Sequence, residues 1–153
     1  MKRVEIRLNL DAVAPLLDVI KAAADDLQPT LAVPPAVPDA EREFADAWKG
    51  ELLAAQNSDV GTLLALFGNE FFSTGVIALD PTNAEPVLRG SAAIRLRLRE
   101  RHLRTLDDDA LESSEVALAD LTEEQRRALA AYVFLATLQE LIIQHLDPTV
   151  LDG

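Results

Sequence analysis

Cysteine is absent from the 153-residue sequence, and histidine is limited to two residues. The lack of cysteine excludes disulfides, thiolate metal sites and cysteine nucleophiles, and it is compatible with a reducing cytosol. His102 and His145 cannot form a three-histidine zinc site. Neither the His-Glu-x-x-His pattern nor the Glu-x-x-His pairs of carboxylate-bridged metal bundles occur. The sequence therefore predicts no metal site.

Glycine-based signatures of nucleotide binding and catalysis are missing as well. The six glycines are scattered, so the sequence has no Gly-x-Gly-x-x-Gly turn and no phosphate-binding loop. Ser73 lacks the flanking glycines of a nucleophile elbow. From these motifs we expect no cofactor, and we identify no catalytic residue.

Positive charge is scarce, because 14 Lys+Arg stand against 26 Asp+Glu and leave a formal net charge of −12. Phosphate backbones and anionic lipid headgroups repel such a chain, which disfavours nucleic-acid and membrane partners. The N-terminus lacks the continuous apolar run of a signal peptide. The most apolar stretch, residues 128–138, has about half the roughly 20 residues that a membrane-spanning helix needs. We therefore expect a soluble, cytoplasmic protein.

Helical patterns of apolar residues cover most of the chain, and hydrophobic residues make up 49% of a length that suits one domain. Val4, Ile6 and Leu8 alternate with polar residues, which predicts a strand over about 3–10, and a short second strand is predicted over about 76–79. The predicted helices span about 12–27, 40–56, 60–72, 84–104 and 123–146. The predicted fold is a mainly α, single-domain helix bundle around a buried C-terminal helix, with a minor two-stranded β ribbon.

Several helix ends and faces can be predicted from single residues. Asp11 is the predicted N-cap of the first helix, and Thr122 with Gln125 matches the capping box that opens the last one. Gly50 predicts a bend or a close helix contact, since glycine inside a helix costs about 1 kcal/mol. The predicted inner face of the second helix is formed by Phe44, Ala47, Trp48, Leu52 and Ala55.

Three segments together carry a family resemblance. They are LNLDAVAPLLDVI near the N-terminus, the proline-led PPAVPDAEREFADAWKGELL and the closing YVFLATLQELIIQHL. They resemble an uncharacterised bacterial family, a domain of unknown function best known from actinobacteria, whose members are encoded beside the adaptor of the Clp protease. The resemblance covers most of the chain and implies a helical fold with a regulatory or proteostasis-linked role. It supplies no catalytic residues.

A basic island interrupts the acidic chain between residues 89 and 104. Six arginines against the single Glu100 give it a charge of +5. On a helix the apolar residues of this segment fall on two sides, so we expect some of the arginines to be partly buried. The six are Arg89, Arg95, Arg97, Arg99, Arg101 and Arg104.

Pairing with carboxylates inside the domain is the favoured interpretation of the island, because guanidinium groups suit buried ion pairs. We expect one of the arginines to contact Glu140, since a carboxylate in the core helix is costly to bury alone. The functional alternative is an anion or acidic-peptide site. Its candidate residues are Arg95, Arg97, Arg99, Arg101 and His102. Nucleic-acid binding ranks last, because no aromatic residues interleave with the arginines.

Phe71 and Phe72 are the candidate contact for a protein partner, although packing in the core is the favoured interpretation of the aromatic residues. The two are adjacent, so one ring should point away from the other. An exposed ring at this place would mark a partner surface or a dimer contact.

Two classes of function follow. The leading hypothesis is a non-enzymatic protein-interaction or regulatory module that binds another protein or a second copy of itself. It predicts an exposed apolar patch near Phe71 and Phe72 or an uncovered row of arginines. The alternative is a small enzyme or binding protein for an anionic ligand. It predicts a pocket in which Arg97, Arg101 and His102 converge.

Overall fold

Five helices and two strands make up the part of the chain that the computed structural model describes, residues 3–33, 42–104, 106 and 121–146. In chain order they are β1 (Val4–Arg7), α1 (Leu10–Leu27), α2 (Arg42–Ala65), α3 (Asn69–Thr74), β2 (Val76–Leu79), α4 (Ala84–His102) and α5 (Glu123–Leu146). The predicted fold class, mainly helical with a small two-stranded sheet, is confirmed.

The ribbon pairs β1 with β2 in antiparallel register, with Val4 opposite Leu79 and Ile6 opposite Ile77. The β2 residues of these pairs are buried and the β1 residues are partly buried, so one face of the ribbon packs on the core. At one end of the ribbon, Gly75 has a φ of 74°. Glycine adopts this left-handed conformation without the strain that a side chain would bring.

The first helix begins earlier than the sequence pattern predicts. Its N-cap is Asn9, whose side-chain oxygen accepts a hydrogen bond from the Ala12 backbone N–H at 3.2 Å. The prediction of Asp11 as the cap is wrong, because Asp11 already lies in the first turn of α1. There its charge is favourable toward the helix dipole. The early start of α1 also shortens the predicted strand, which ends at Arg7.

The prediction of two separate helices over 40–56 and 60–72 is wrong. A single helix, α2, runs through this region to Ala65, and the short α3 follows it. In the part of the chain that the structure describes, a Cβ built on Gly50 would have no neighbour within 4 Å, so the predicted close contact is not found there. Polar residues around 56–59 do not end the helix, because Val60 and Leu63 in the next turn are buried in the core. Tertiary packing outweighs local propensity here.

α4 packs against α2 and against α5, and it also contacts α1. It comes very close to α2 at Gly90, where a Cβ would lie 2.7 Å from the backbone oxygen of Asp59. A residue with a side chain would force the two helices apart. The largest fully buried side chains of the core include Ile20, Leu27, Leu63, Phe71, Ile77, Ile94, Leu98, Leu135 and Ile142.

α5 begins with the predicted capping box. The Gln125 backbone N–H donates to Thr122 Oγ1 at 3.1 Å, and the Thr122 backbone N–H donates to Gln125 Oε1 at 3.0 Å. By length and composition alone the helix could cross a membrane, but the core helix of a soluble protein passes the same test. Its packing against α1 and α4 fits a soluble protein, and the cytoplasmic location stays a prediction.

Candidate functional site

A cavity of about 830 Å³ opens between α1, α4 and α5. Its wall includes Arg97, Arg101 and His102 from α4, Asp26 from α1 and Glu124 from α5. The structure thus brings together the three α4 residues that the sequence nominates for an anionic ligand. What they can do depends on the groups that already contact them.

Arg97 is the most buried charged residue of this wall, with 4% of its surface exposed. Its Nη1 donates to Asp26 Oδ2 at 2.8 Å, and its Nη2 donates to Thr30 Oγ1 at 3.0 Å and to the Leu31 backbone oxygen at 3.3 Å. These acceptors lie at the C-terminal end of α1 and in the turn after it. Arg97 therefore ties that end of α1 to α4.

Asp26 accepts hydrogen bonds from two arginines. Besides Arg97, the Arg101 Nε donates to Asp26 Oδ2 at 3.0 Å. The hydrogen bond from Arg97, followed by the hydrogen bond and charge of Arg101, holds the pKa of Asp26 below its usual value despite the opposing effect of desolvation. Asp26 is therefore a charged carboxylate over the working range of most proteins, and it serves as the counterion of both guanidinium groups.

Two further residues of the island connect α4 to α5. His102 Nδ1 lies 3.2 Å from Glu124 Oε1. Arg95 Nη1 donates to Gln139 Oε1 at 2.7 Å, and its guanidinium carbon lies 4.4 Å from the centre of the Tyr132 ring. That distance is within the range of a cation–π contact.

Arg89 and Arg99 also contact other groups. The Arg89 Nε donates to Asp59 Oδ2 at 2.9 Å, which joins α4 to α2, and Arg89 pairs with Glu85 within α4. Arg99 is partly buried and is likewise engaged in a contact. Four arginines of the island thus link α4 to its neighbours, namely Arg89, Arg95, Arg97 and Arg101.

In the described part of the chain, Glu140 contacts a glutamine and not the arginine that the sequence predicts. Glu140 is exposed, and its Oε1 accepts a hydrogen bond from Gln144 Nε2 at 3.2 Å. The premise of the prediction, a carboxylate buried in the core helix, is wrong. Glu140 lies on the solvent side of α5, whereas the adjacent Gln139 receives the hydrogen bond from Arg95.

Charges of both signs balance along the wall of the cavity, which limits its chemistry. The wall carries three arginines and three carboxylates, Arg97, Arg101, Arg127, Asp18, Asp26 and Glu124. An anionic ligand would have to compete with Asp26 for both Arg97 and Arg101. Among the described residues, no group of three or more histidine, aspartate or glutamate side chains could hold a metal ion.

Phe71 and Phe72 differ sharply in exposure. Phe71 is fully buried and packs edge-on against Phe67 at a centroid distance of 5.2 Å. Phe72 has 48% of its surface exposed. The structure places one ring in the core and leaves the other accessible to solvent. The expectation that one ring points away from the other is wrong, because the two rings meet edge-on at a centroid distance of 5.4 Å. The role of Phe72 as a partner contact stays a prediction.

The largest exposed aromatic surface lies on α2, where the sequence predicts an inner face. Phe44 is 70% exposed and Trp48 is 40% exposed. Assigning them to the core is wrong. Both rings lie in the first half of α2, whereas the buried residues Val60 and Leu63 lie in its second half. At roughly 100° per residue, Phe44 lies about 160° around the helix from Val60, but Trp48 lies only about 60° from Leu63. The exposure of Trp48 therefore reflects its position along the helix, which the helical pattern alone does not reveal.

We call Phe44, Trp48, Leu52 and Ala55 the aromatic face of α2. Leu52 is partly buried, and Ala55 is exposed like the two rings. Residues 46–51 are exposed on every side of the helix. Among the described side chains of the first half of α2, those of residue 44 and residues 46–51 are exposed, and they include both rings.

A family model described as a domain of unknown function (DUF2017) matches residues 7–146. The chain belongs to this family. The match confirms the resemblance to an uncharacterised family, whereas the actinobacterial distribution and the link to the Clp adaptor stay expectations. Comparison with curated proteins and with solved structures gave no match.

The part of the chain that matches DUF2017 contains both candidate surfaces, the arginine-lined cavity and the aromatic face of α2. The family description assigns no activity to either surface.

Proposed function

We propose that this DUF2017 protein is a non-enzymatic interaction module that binds another protein through the aromatic face of α2. The exposure of Phe44 and Trp48 carries the proposal. Aromatic side chains bury about 150–250 Å² each when they are covered, and they are enriched among the residues that dominate binding energy at interfaces. The acidic, cysteine-free composition fits a cytoplasmic setting for this role.

The position of the aromatic face within α2 supports the proposal. Gln56 contacts the end of α1, accepting from Ala32 N–H and donating to the Leu27 backbone oxygen. These are tertiary contacts of the second half of the helix, whereas residues 46–51 of the first half are exposed. Helical segments of about 12–15 residues are marginal on their own in water. A partner that covers the aromatic face would stabilise this half of α2.

The cavity gives weaker support to the enzymatic alternative than the aromatic face gives to the interaction module. A general base works best with a pKa near the operating pH, but the pKa of Asp26 is shifted downward, away from neutrality. Arg97 is already bound to acceptors of the fold. The balanced charges of the wall also provide no excess positive potential that would attract an anion.

Site-specific photo-crosslinking in the cells that make the protein tests the proposal. A photoreactive phenylalanine analogue replaces Phe44 in one variant of the protein. It replaces Phe72 in a second, matched variant, because the Phe72 ring is also exposed. We expect one discrete crosslinked protein from position 44, and we expect its yield to drop strongly when Trp48→Ala is added. No product from position 44, or a product that survives Trp48→Ala undiminished, would refute the proposal.

A further inference from the structure

We propose that the partner segment is a cationic amphipathic helix that packs side by side with the first half of α2. This inference rests on the proposed function and adds the chemistry of the partner. It follows from the shape of the aromatic face, from the charge around it and from its small size.

The shape of the aromatic face favours a helix. Its members are spaced by four, four and three residues, so they form one stripe about 16 Å long, given a rise of 1.5 Å per residue. A narrow stripe on a convex cylinder is the surface that another helix covers, with the side chains of one fitting between those of the other. Flat partners would leave most of the stripe in water.

Among the exposed residues 46–51, two carboxylates, Asp46 and Glu51, outnumber the single Lys49, so the charge near the aromatic face is negative and favours a cationic partner. Glu51 is exposed and follows Trp48 by one turn, at the border of the stripe. The next carboxylate along that side, Asp59, is already paired with Arg89. Glu51 is thus placed to meet a lysine or arginine at the rim of a bound helix.

The net charge argues against a second copy as the occupant. Each chain has a formal charge of −12, so self-association would bring two strongly acidic chains together. Repulsion of this kind opposes a homodimer, whereas the same field attracts a cationic segment and raises its association rate. Anionic lipid surfaces are disfavoured for the same reason as a second copy.

The size of the aromatic face limits the affinity. Three turns of helix offer less than the roughly 800 Å² per partner of a standard stable interface. We therefore expect a weak, reversible interaction that weakens further as salt screens the charges.

Trp48 is the only tryptophan of the chain, so its fluorescence reports on this surface alone. The probe is a synthetic amphipathic helix of leucine and lysine, added to the full-length protein. Two control peptides accompany it: a lysine and serine peptide of equal charge without an apolar stripe, and a leucine and glutamate peptide with the charge reversed. We expect a saturable blue shift of Trp48 emission with the leucine and lysine peptide only.

Variants locate the binding on the aromatic face. Phe44→Ala should weaken binding about tenfold or more, equivalent to about 1.4 kcal/mol. Because Phe44 is exposed, the variant should keep its fold, which circular dichroism checks. Phe72→Ala is the matched control, because Phe72 is also exposed but lies in α3, beyond the C-terminal end of α2. This variant should leave the affinity for the leucine and lysine peptide unchanged within about twofold. Glu51→Gln should weaken binding to the cationic peptide and reduce its salt dependence.

Several results would overturn the inference. An equal shift with the leucine and glutamate peptide would show that charge does not select the partner, and a shift with anionic vesicles alone would assign the aromatic face to membranes. A blue shift that grows with protein concentration, together with a dimeric mass in sedimentation, would assign it to a second copy. No shift with any peptide would also reject the helical, cationic partner. Crosslinking from position 44 decides the proposed function independently of all these results.

Discussion

Replacing Arg97 with methionine should destabilise the fold, because methionine keeps an apolar stem and removes the guanidinium group. Arg97 is 4% exposed and donates to one charged acceptor, the Asp26 carboxylate, and to three neutral ones, Thr30 Oγ1 and the backbone oxygens of Leu31 and Asp26. The guanidinium donor is charged in each of these bonds, and a hydrogen bond that involves a charged group contributes about 1.5–3 kcal/mol to stability.

Two effects reduce the loss that these bonds imply. The variant no longer carries the desolvation cost of a buried guanidinium, and Asp26 keeps its hydrogen bond from Arg101. We therefore expect a net loss of about 2–3 kcal/mol in the free energy of unfolding, which in a domain of this size lowers the Tm by about 4–12 °C.

Urea and thermal denaturation followed by circular dichroism measure the effect of Arg97→Met at neutral pH. Arg101→Met is the matched control, because Arg101 contacts the same carboxylate but has 54% of its side chain exposed. Ion pairs exposed to this degree contribute less than about 1 kcal/mol. If Arg97→Met is as stable as the unmodified protein, or if Arg101→Met costs as much, the reasoning from burial and bond geometry fails.

Three further predictions concern the fold. Gly90→Ala should lower the free energy of unfolding by about 1–3 kcal/mol, because its Cβ would lie 2.7 Å from the Asp59 backbone oxygen, whereas Gly50→Ala should raise it by about 0.5–1 kcal/mol. Equal urea midpoints for the two variants would contradict the helix packing. Thr122→Ala should cost about 1 kcal/mol through loss of the capping box, and an unchanged midpoint would remove the box as a stabilising feature. The pKa of Asp26 is lower in the folded chain than in the unfolded one, so its stabilising contribution is present above the unfolded value and is lost as the pH falls through the folded value. Asp26→Asn should therefore make stability less dependent on pH across the acid range, and a pH profile parallel to that of the unmodified protein would count against this linkage.

Features set by neighbouring residues in the chain could be predicted from the sequence. The alternation of Val4, Ile6 and Leu8 predicts a strand, and β1 and β2 pair as expected. The capping box of Thr122 and Gln125 fixes the start of α5, and its observed range is the predicted one. Both signals act within a few residues, where the hydrogen-bonding partners are known from the order of the chain.

The candidate site could be predicted only in part. The sequence nominates Arg97, Arg101 and His102 together, because they share one helix, and the structure places all three on one cavity wall. The sequence does not reveal which carboxylate pairs with Arg97 and Arg101, because that carboxylate, Asp26, lies on a different helix and the chain is rich in carboxylates. The choice of Asp26 depends on how α1 and α4 pack.

The sequence by itself determined the helical fold class, the β ribbon, the start of α5 and the excess of acid over base. Only the tertiary structure decided which apolar stripes are covered. Phe44 and Trp48 form as good a stripe as Val60 and Leu63, but only the second pair is buried, in the stretch of α2 where Gln56 contacts the end of α1 and Asp59 approaches Gly90 of α4. An apolar stripe marks a surface that can be buried, whereas its burial depends on a neighbouring element that the local pattern does not contain.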